Sequence, residues 1–458
     1  MSKTTYQRIS AASPEAVLDA AERELMAAGG GERWLAVGFR LRQYWLEGEP
    51  EQSLIALYHL QATTSGCRTA LAVFEPEPRV VEAIAQAEPW FSLLGVRGVA
   101  LAEPVELAPV RIPKPWGQEI WYTGVERRGQ AAVTDGAYRM PLPWLLAAAP
   151  RRVADGQSRD LILLKILDPL PDPVFGDLYF ELHEEKREVY VVTAVDRRAW
   201  PDGVGGIRFG FDAGRVAQYP SEQAFLDAYL ASVAKYREVR RAIDELLDQR
   251  RLAAGVGLNE PLAASTLRQW LAGLPAELTE REQHLREAME SFTALRPLQV
   301  GDVVKVPHRV PHSLQHGVRT VEFQTPVYER LILSFAQKVL TQADWDTAAA
   351  ARIMTAAPPA EEAFEQTASG RGWLEERIVE FDDFEVHRVR LEPGASRLLD
   401  ATPAYALLMC VGGDLQLDGK TLGADVAVLL PAAWNGGTLR NTAAEPRVAL
   451  LATPVHAR

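Results

Sequence analysis

Gly176-Asp-Leu-Tyr-Phe-Glu181-Leu-His183-Glu-Glu-Lys-Arg-Glu188-Val-Tyr190-Val and, far along the chain, Gly301-Asp-Val-Val-Lys-Val-Pro307-His-Arg-Val-Pro-His312 are the two stretches that decide the fold. Side chains two apart on a strand face the same side, so Glu181 and His183 are expected to point inward together. The charged run Glu184–Arg187 makes a turn, and a new strand starts at Glu188, with Tyr190 and Val192 on the same inner face. In the second stretch a Gly-Asp turn enters an apolar strand, Pro307 ends it, and His312 follows the bend. Two carboxylates and two imidazoles, Glu181, His183, Glu188 and His312, form a borderline-to-hard ligand set. It suits one divalent metal, Zn²⁺ first, with Mn²⁺, Fe²⁺ or Co²⁺ as alternatives. The carboxylates also offset the cost of burying the ion's charge. Read alone, the charge-dense run 181–188 is equally a solvated turn; the matching Gly/Pro/His stretch is what favours the metal. His308 and His316 fit the spacing less well and are read as rim residues. His59, His284, His387 and His456 stand isolated and are read as structural or exposed.

Outward from these stretches, the pattern changes period. Leu161–Leu167 and Glu188–Thr193 are apolar, branched runs of strand length. Phe225, Tyr229, Val233, Tyr236, Ile243 and Leu247 then fall at helical spacing. Thr279 with Glu282 makes a capping-box pattern that opens a further helix to about Leu295. Strand signals return at Val303–Val306 and Thr320–Phe323. An Ala/Pro/Glu-rich stretch, 348–370, reads as a linker, and Asp418-Gly419 as a tight hairpin. Upstream, a helix over Pro14–Ala28 stops at Gly29-Gly30-Gly31, and β-rich runs follow at Trp34–Leu46, Ser53–Gln61, Thr69–Phe74 and Val96–Leu107. A helix near Arg79–Gln86 interrupts them. The expected domains are an N-terminal α/β domain (1–105), a metal-binding β domain (106–214 with 296–347), a helical insert (215–295) and a C-terminal β domain without metal (371–458). The last runs Gly423 to Pro431 like its counterpart but continues Ala-Ala-Trp434, with no histidine.

Bulk composition narrows the function. At 458 residues the chain needs more than one core, and 47% hydrophobic with 24% charged residues is an ordinary globular balance. A net charge of -12 and no Lys/Arg-rich stripe argue against a nucleic-acid partner. Only Cys67 and Cys410 are present, which fits a reducing compartment. No signal segment follows the N-terminus, and no apolar run approaches the ~20 residues that span a bilayer. The reading is a cytoplasmic protein with no membrane partner.

The spacings of the two metal stretches resemble the two cupin motifs, with Glu181 in the first histidine position and Arg309 where the second motif has glycine. More closely, the chain resembles the type I mannose-6-phosphate isomerases over about 106–458. Lys114-Pro-Trp-Gly117 is similar to that family's entry to its first cupin, and Leu163–Asp168 to the strand before its metal motif. Its Gln-x-His and Lys-x-Glu ligand pairs fall on Glu181-Leu-His183 and Lys186-Arg-Glu188, and its final ligand on Pro311-His312. Its Glu-x-Gln … Tyr-Arg segment resembles Glu322-Phe-Gln324 … Tyr328-Glu-Arg330. The resemblance implies a mainly β, α+β protein with bicupin (jelly-roll) β-barrels, a helical insert and an N-terminal α/β extension. It also implies a metal-dependent aldose–ketose isomerase acting on a small-molecule sugar phosphate, of the mannose-6-phosphate/fructose-6-phosphate type. Arg330 is then the candidate for stabilising charge or holding phosphate. Lys165, inward on its strand, is a second contact, or equally an edge lysine that keeps the strand soluble. Glu322 and His308 are both candidates for the base. Glutamate at 181, where the family has glutamine, adds a charge and weakens the cation's Lewis acidity. Glu184 replaces a proline, and the family's serine near the phosphate has no match. A non-catalytic bicupin that holds a metal and binds a sugar is the competing reading.

Overall fold

Why Glu181 and His183 face inward is settled by what covers the other side of their strand. The computed structural model describes residues 4–64, 66–156, 160–359 and 363–455; His456 lies outside them. The protein is mostly β with helices. It divides into two compact units, Arg111–Ile120 with Lys165–Ala363, and Met1–Val110 with Trp121–Leu164 and Phe364–Arg458.

In the first of these, a six-stranded sheet runs in the order Val303–Val306, Glu188–Val195, Val318–Gln324, Leu163–Pro169, Gly117–Trp121, Val110–Lys114. A five-stranded sheet runs Thr293–Leu298, Gly205–Phe211, His312–Leu314, Phe180–Leu182, Leu331–Ser334. Tyr190, Val192, Val304 and Val306 from one sheet share a buried core with Ile207, Phe209, Leu314 and Ile332 from the other. The outer face of the five-stranded sheet is covered by helix Glu222–Ala253, whose buried stripe Phe225, Tyr229, Val233 and Tyr236 packs on Phe180, Leu182, Phe211 and Leu333. Ser221 caps that helix by accepting from the Ala224 amide. Because side chains alternate along a strand, the helix that takes Phe180 and Leu182 outward leaves Glu181 and His183 facing in; a one-residue slip would reverse every one of them.

The helix expected to open at Thr279 instead spans Ala276–Glu290, and Leu295 lies in the strand Thr293–Leu298. Pro275 precedes the helix, and Thr279 sits inside its first turn with its hydroxyl donating to the Ala276 carbonyl. Pro275 takes the cap position with an extended ψ of 131°, so the helix starts before Thr279, whose hydroxyl is then spent on a carbonyl and caps no amide. The stretch read as a linker likewise ends in a strand, Glu365–Gly370.

The second unit contains a five-stranded sheet in the order Thr4–Ser10, Glu32–Arg42, Glu51–Thr63, Gly66–Phe74, Val99–Ala100. Its first pair is parallel, joined by helix Pro14–Ala27, which buries Leu18, Ala21 and Leu25. A nine-stranded sheet inserts Val105–Ala108 between Ala132–Thr134 and Ala427–Leu430. It shares a core with the four-stranded sheet that holds the hairpin Leu415–Leu417/Lys420–Leu422. Asp418 and Gly419 of that hairpin both adopt positive φ (49° and 82°), as a two-residue type I′ turn requires.

Candidate metal centre

Strand pairing brings the expected ligands together. Glu181 lies opposite His312 in antiparallel register, and His183 follows two residues on. One ligand atom from each of Glu181, His183 and His312 falls within 4.8 Å of the others. Glu188 reaches the same place from the facing sheet: its carboxylate is 3.2 Å from His312 Nε2 and 3.5 Å from His183 Nε2. The two stretches are also tied through the backbone, since the Arg309 amide donates to the His183 carbonyl at 2.7 Å. Arg309 adopts φ +66°, the left-handed conformation that favours the glycine it replaces. The charged turn after His183 is held by Glu329, which accepts from the Glu184 and Glu185 amides.

The donor chemistry fits a cation. His312 Nδ1 donates to the Val310 carbonyl at 3.0 Å, which turns Nε2 toward the cluster, 3.2 Å from Glu188 Oε2. Neither ring nitrogen of His183 has a hydrogen-bond partner among the described residues, and Glu181 Oε2 has none either, although all are buried. Burial, helped by the Lys186 ammonium, lowers the His183 pKa to about 4, so its imidazole is neutral and free to ligate. Buried polar atoms normally find partners, so this clustering of orphan donors and acceptors marks a place for a ligand or ion.

A row of buried charge adjoins the ligands. On the strand Glu188–Val195, Glu188 pairs in register with Gln324 and Tyr190 with Glu322. Lys186 Nζ lies 2.6 Å from Glu188 Oε1, and the Tyr190 hydroxyl donates to Glu188 Oε2. Lys165 Nζ donates to Gln324 Oε1 and lies 3.5 Å from Glu322 Oε1. Burial alone would favour a neutral Lys186, but Glu188, with Glu181 and Glu322 behind it, holds the ammonium charged. Burial likewise opposes ionisation of Glu188, yet Lys186 and His183 keep its carboxyl well below the usual range. Glu322 goes the other way. Burial, reinforced by Glu188 and only partly opposed by Lys165, raises its pKa to about 8.

Arg330 is also here. Its guanidinium stacks 4.6 Å over the Tyr179 ring, with Nε 4.0 Å from Glu181 Oε2 and Nη2 donating to Thr341 at 2.6 Å. His308 has a buried Nε2 with no partner among the described residues. His316 does not join the centre; it pairs with Asp177 at 2.7 Å and stacks on Trp200. His387 is held between Glu375 and Glu385, and His59 lies on Trp34. The family resemblance places Lys186 in the Lys-x-Glu pair but gives it no role of its own; its burial against Glu188 is what the sequence does not show.

No protein-family model matches the chain, and no curated protein sequence does. Solved structures match its fold. The mannose 6-phosphate isomerase from Bacillus subtilis aligns with a TM-score of 0.51 at 15% identity, covering 76% of this chain and 99% of that one. An arginine-to-alanine mutant of phosphomannose isomerase from Salmonella typhimurium aligns with a TM-score of 0.50 at 14% identity, with the same coverage. At these identities the likeness is one of fold, and it falls on the phosphomannose isomerases. Among the described residues no helix is long and apolar enough to cross a membrane.

Proposed function

We propose that this chain is a metal-dependent sugar-phosphate isomerase of the mannose-6-phosphate/fructose-6-phosphate type, or a close relative, built on two cupin modules with the metal in the module of 106–214 and 296–347. The observation that carries the reading is the convergence of Glu181, His183, Glu188 and His312 beside a buried row of titratable groups, in a fold shared with phosphomannose isomerases. Those four residues would hold the divalent cation, Zn²⁺ by its ligand preferences. When bound, such an ion supplies Lewis-acid stabilisation of the charge that develops on the oxygens of an enediolate. Glu322, with a pKa near 8, is suited to carry a proton at working pH, and Lys165 at 3.5 Å steadies its ionised form. Lys186 and Tyr190 fix the Glu188 carboxylate in one orientation. Arg330 and Lys165 are the candidate cations for a phosphate or hydroxyl contact.

A second reading, a sugar-binding protein that holds a metal without turnover, is favoured by one feature. Arg330 is engaged with Glu181, Tyr179 and Thr341, and Lys165 with Gln324, so neither presents an unpaired cation to a phosphate. A coupled assay with mannose 6-phosphate on metal-loaded and chelator-treated protein separates the two. Turnover that chelation removes supports the isomerase; phosphosugar binding without turnover supports the second reading; neither turnover nor binding would overturn both.

A further inference from the structure

A cavity of about 260 Å³ is lined by helices Glu222–Ala253, Ala264–Ala272 and Ala276–Glu290 and by residues that include Phe175, Gln337 and Leu340; no residue of the metal centre lines it. Its wall is largely apolar, with Phe175, Ile243, Leu247, Leu267 and Leu271. Helix Ala264–Ala272 contributes two of those leucines yet buries no residue of its own, so its apolar stripe faces the cavity rather than packed protein. The helix is nonetheless anchored. Arg250 donates to the carbonyls of Trp270 and Gly273, and Arg268 pairs with Asp172 and lies 5.7 Å over the Phe175 ring. An apolar cavity of ~150 Å³ accepts benzene. This one is larger, near the lower end of the ~300–1,000 Å³ typical of small-molecule sites.

The polar groups on the wall select the ligand. Its cations already have counter-charges: Arg240 with Asp244 at 2.9 Å, Lys338 with Asp248 at 2.7 Å, and Arg286 with Glu282 at 3.4 Å, although the buried Arg286 Nε makes no hydrogen bond among the described residues. Arg251 donates to the carbonyls of Gly257 and Glu260 and lies 3.8 Å from Asp248. Glu282 in turn accepts from the Tyr236 hydroxyl at 2.7 Å. A charged ligand would therefore meet no unmatched counter-charge. Gln337 differs. It is 5% exposed, and its Nε2 donates to the Phe175 carbonyl at 2.9 Å, which fixes the orientation of the amide because a carbonyl can only accept. Its Oε1 is buried with no partner among the described residues. A buried amide oxygen in that state needs a donor.

We propose that this cavity binds a small, neutral, largely apolar molecule whose hydrogen-bond donor, a hydroxyl or N–H, is accepted by Gln337 Oε1. The proposal is independent of the reaction at the metal centre. Calorimetric titration of the full chain with 2-naphthol, its methyl ether and 2-naphthoate tests it. 2-Naphthol binds saturably, and the ether, which lacks the donor, and the charged naphthoate each bind about tenfold or more weakly. Gln337→Leu erases the preference for naphthol over ether while leaving apolar binding. Leu271→Trp, which fills the cavity, removes binding of both and leaves metal content unchanged. No saturable binding of any of the three to the wild type would overturn the proposal. So would an unchanged naphthol-to-ether ratio in Gln337→Leu.

Discussion

Two strands of the same design end differently. One runs from Gly301 to Pro307 and on to His312; the other runs from Gly423 to Pro431 and on to Trp434. After the first, His312 is buried with His183, Glu188 and a row of charged neighbours. After the second, Trp434 is buried among apolar side chains, Leu399, Leu417, Leu422 and Leu439. The contrast extends to how buried polar groups are treated. Fully buried Asn441, in the second region, donates to the Leu391 and Glu445 carbonyls and accepts from the Ala443 amide, so every one of its needs is met. His183, 1% exposed, has neither ring nitrogen bonded among the described residues. Desolvating charge costs several kcal/mol per ion unless the surroundings compensate, so a polar cluster with orphan ligand atoms points to chemistry and a satisfied apolar core points to stability.

The difference can be attacked from the apolar side first. Trp434→Ala should destabilise its unit by about 3–5 kcal/mol, the loss expected for an aromatic removed from a packed core, and leave metal content untouched. Urea unfolding with elemental analysis of the purified variant checks both halves; a fall in metal would break the comparison. A smaller effect is expected from His387, whose ring nitrogens lie 3.1 Å from Glu375 and 3.4 Å from Glu385. Burial opposes its charged form, but hydrogen bonds to the two glutamates win and raise its pKa to about 9. A raised histidine pKa contributes stability in full below the unfolded value near 6.5 and loses it as pH rises through the folded value. The wild type should therefore lose on the order of 1–2 kcal/mol between pH 6.5 and 9, after solvent screening, and His387→Gln should lose that slope. Equal slopes in both proteins would count against the pairing. The smallest change is Arg309→Gly, which relieves the left-handed conformation and should add about 0.5–1 kcal/mol to the stability of the unit that holds His183 and His312. A lower urea midpoint would show that the arginine side chain contributes more than its backbone costs.

What the sequence made legible follows from short periods. Period-two alternation placed Glu181 with His183 and Glu188 with Tyr190, and helical spacing picked out the stripe from Phe225 to Leu247, because each signal lies within one element. What escaped it depends on partners distant in sequence. The insertion of Val105–Ala108 beside Ala427–Leu430 is a long-range pairing that no local pattern encodes. The role of Lys186 depends on burial beside Glu188, and a charge-rich turn gives no hint of burial. Arg330 entered as a candidate through the family resemblance, and its stacking on Tyr179 and closeness to Glu181 could not be read from the sequence.

Glu181, His183, Glu188 and His312 are expected to bind one metal ion, and the Trp434 region none. Elemental analysis of the full chain, after loading with Zn²⁺ and gel filtration, tests this directly, with His312→Ala alongside. One zinc per wild-type chain is expected, with loss of stoichiometric metal in the variant, which stays folded, because three remaining ligands hold a labile cation poorly. Two metals per chain, none in the wild type, or a His312→Ala protein that keeps its full complement would contradict this.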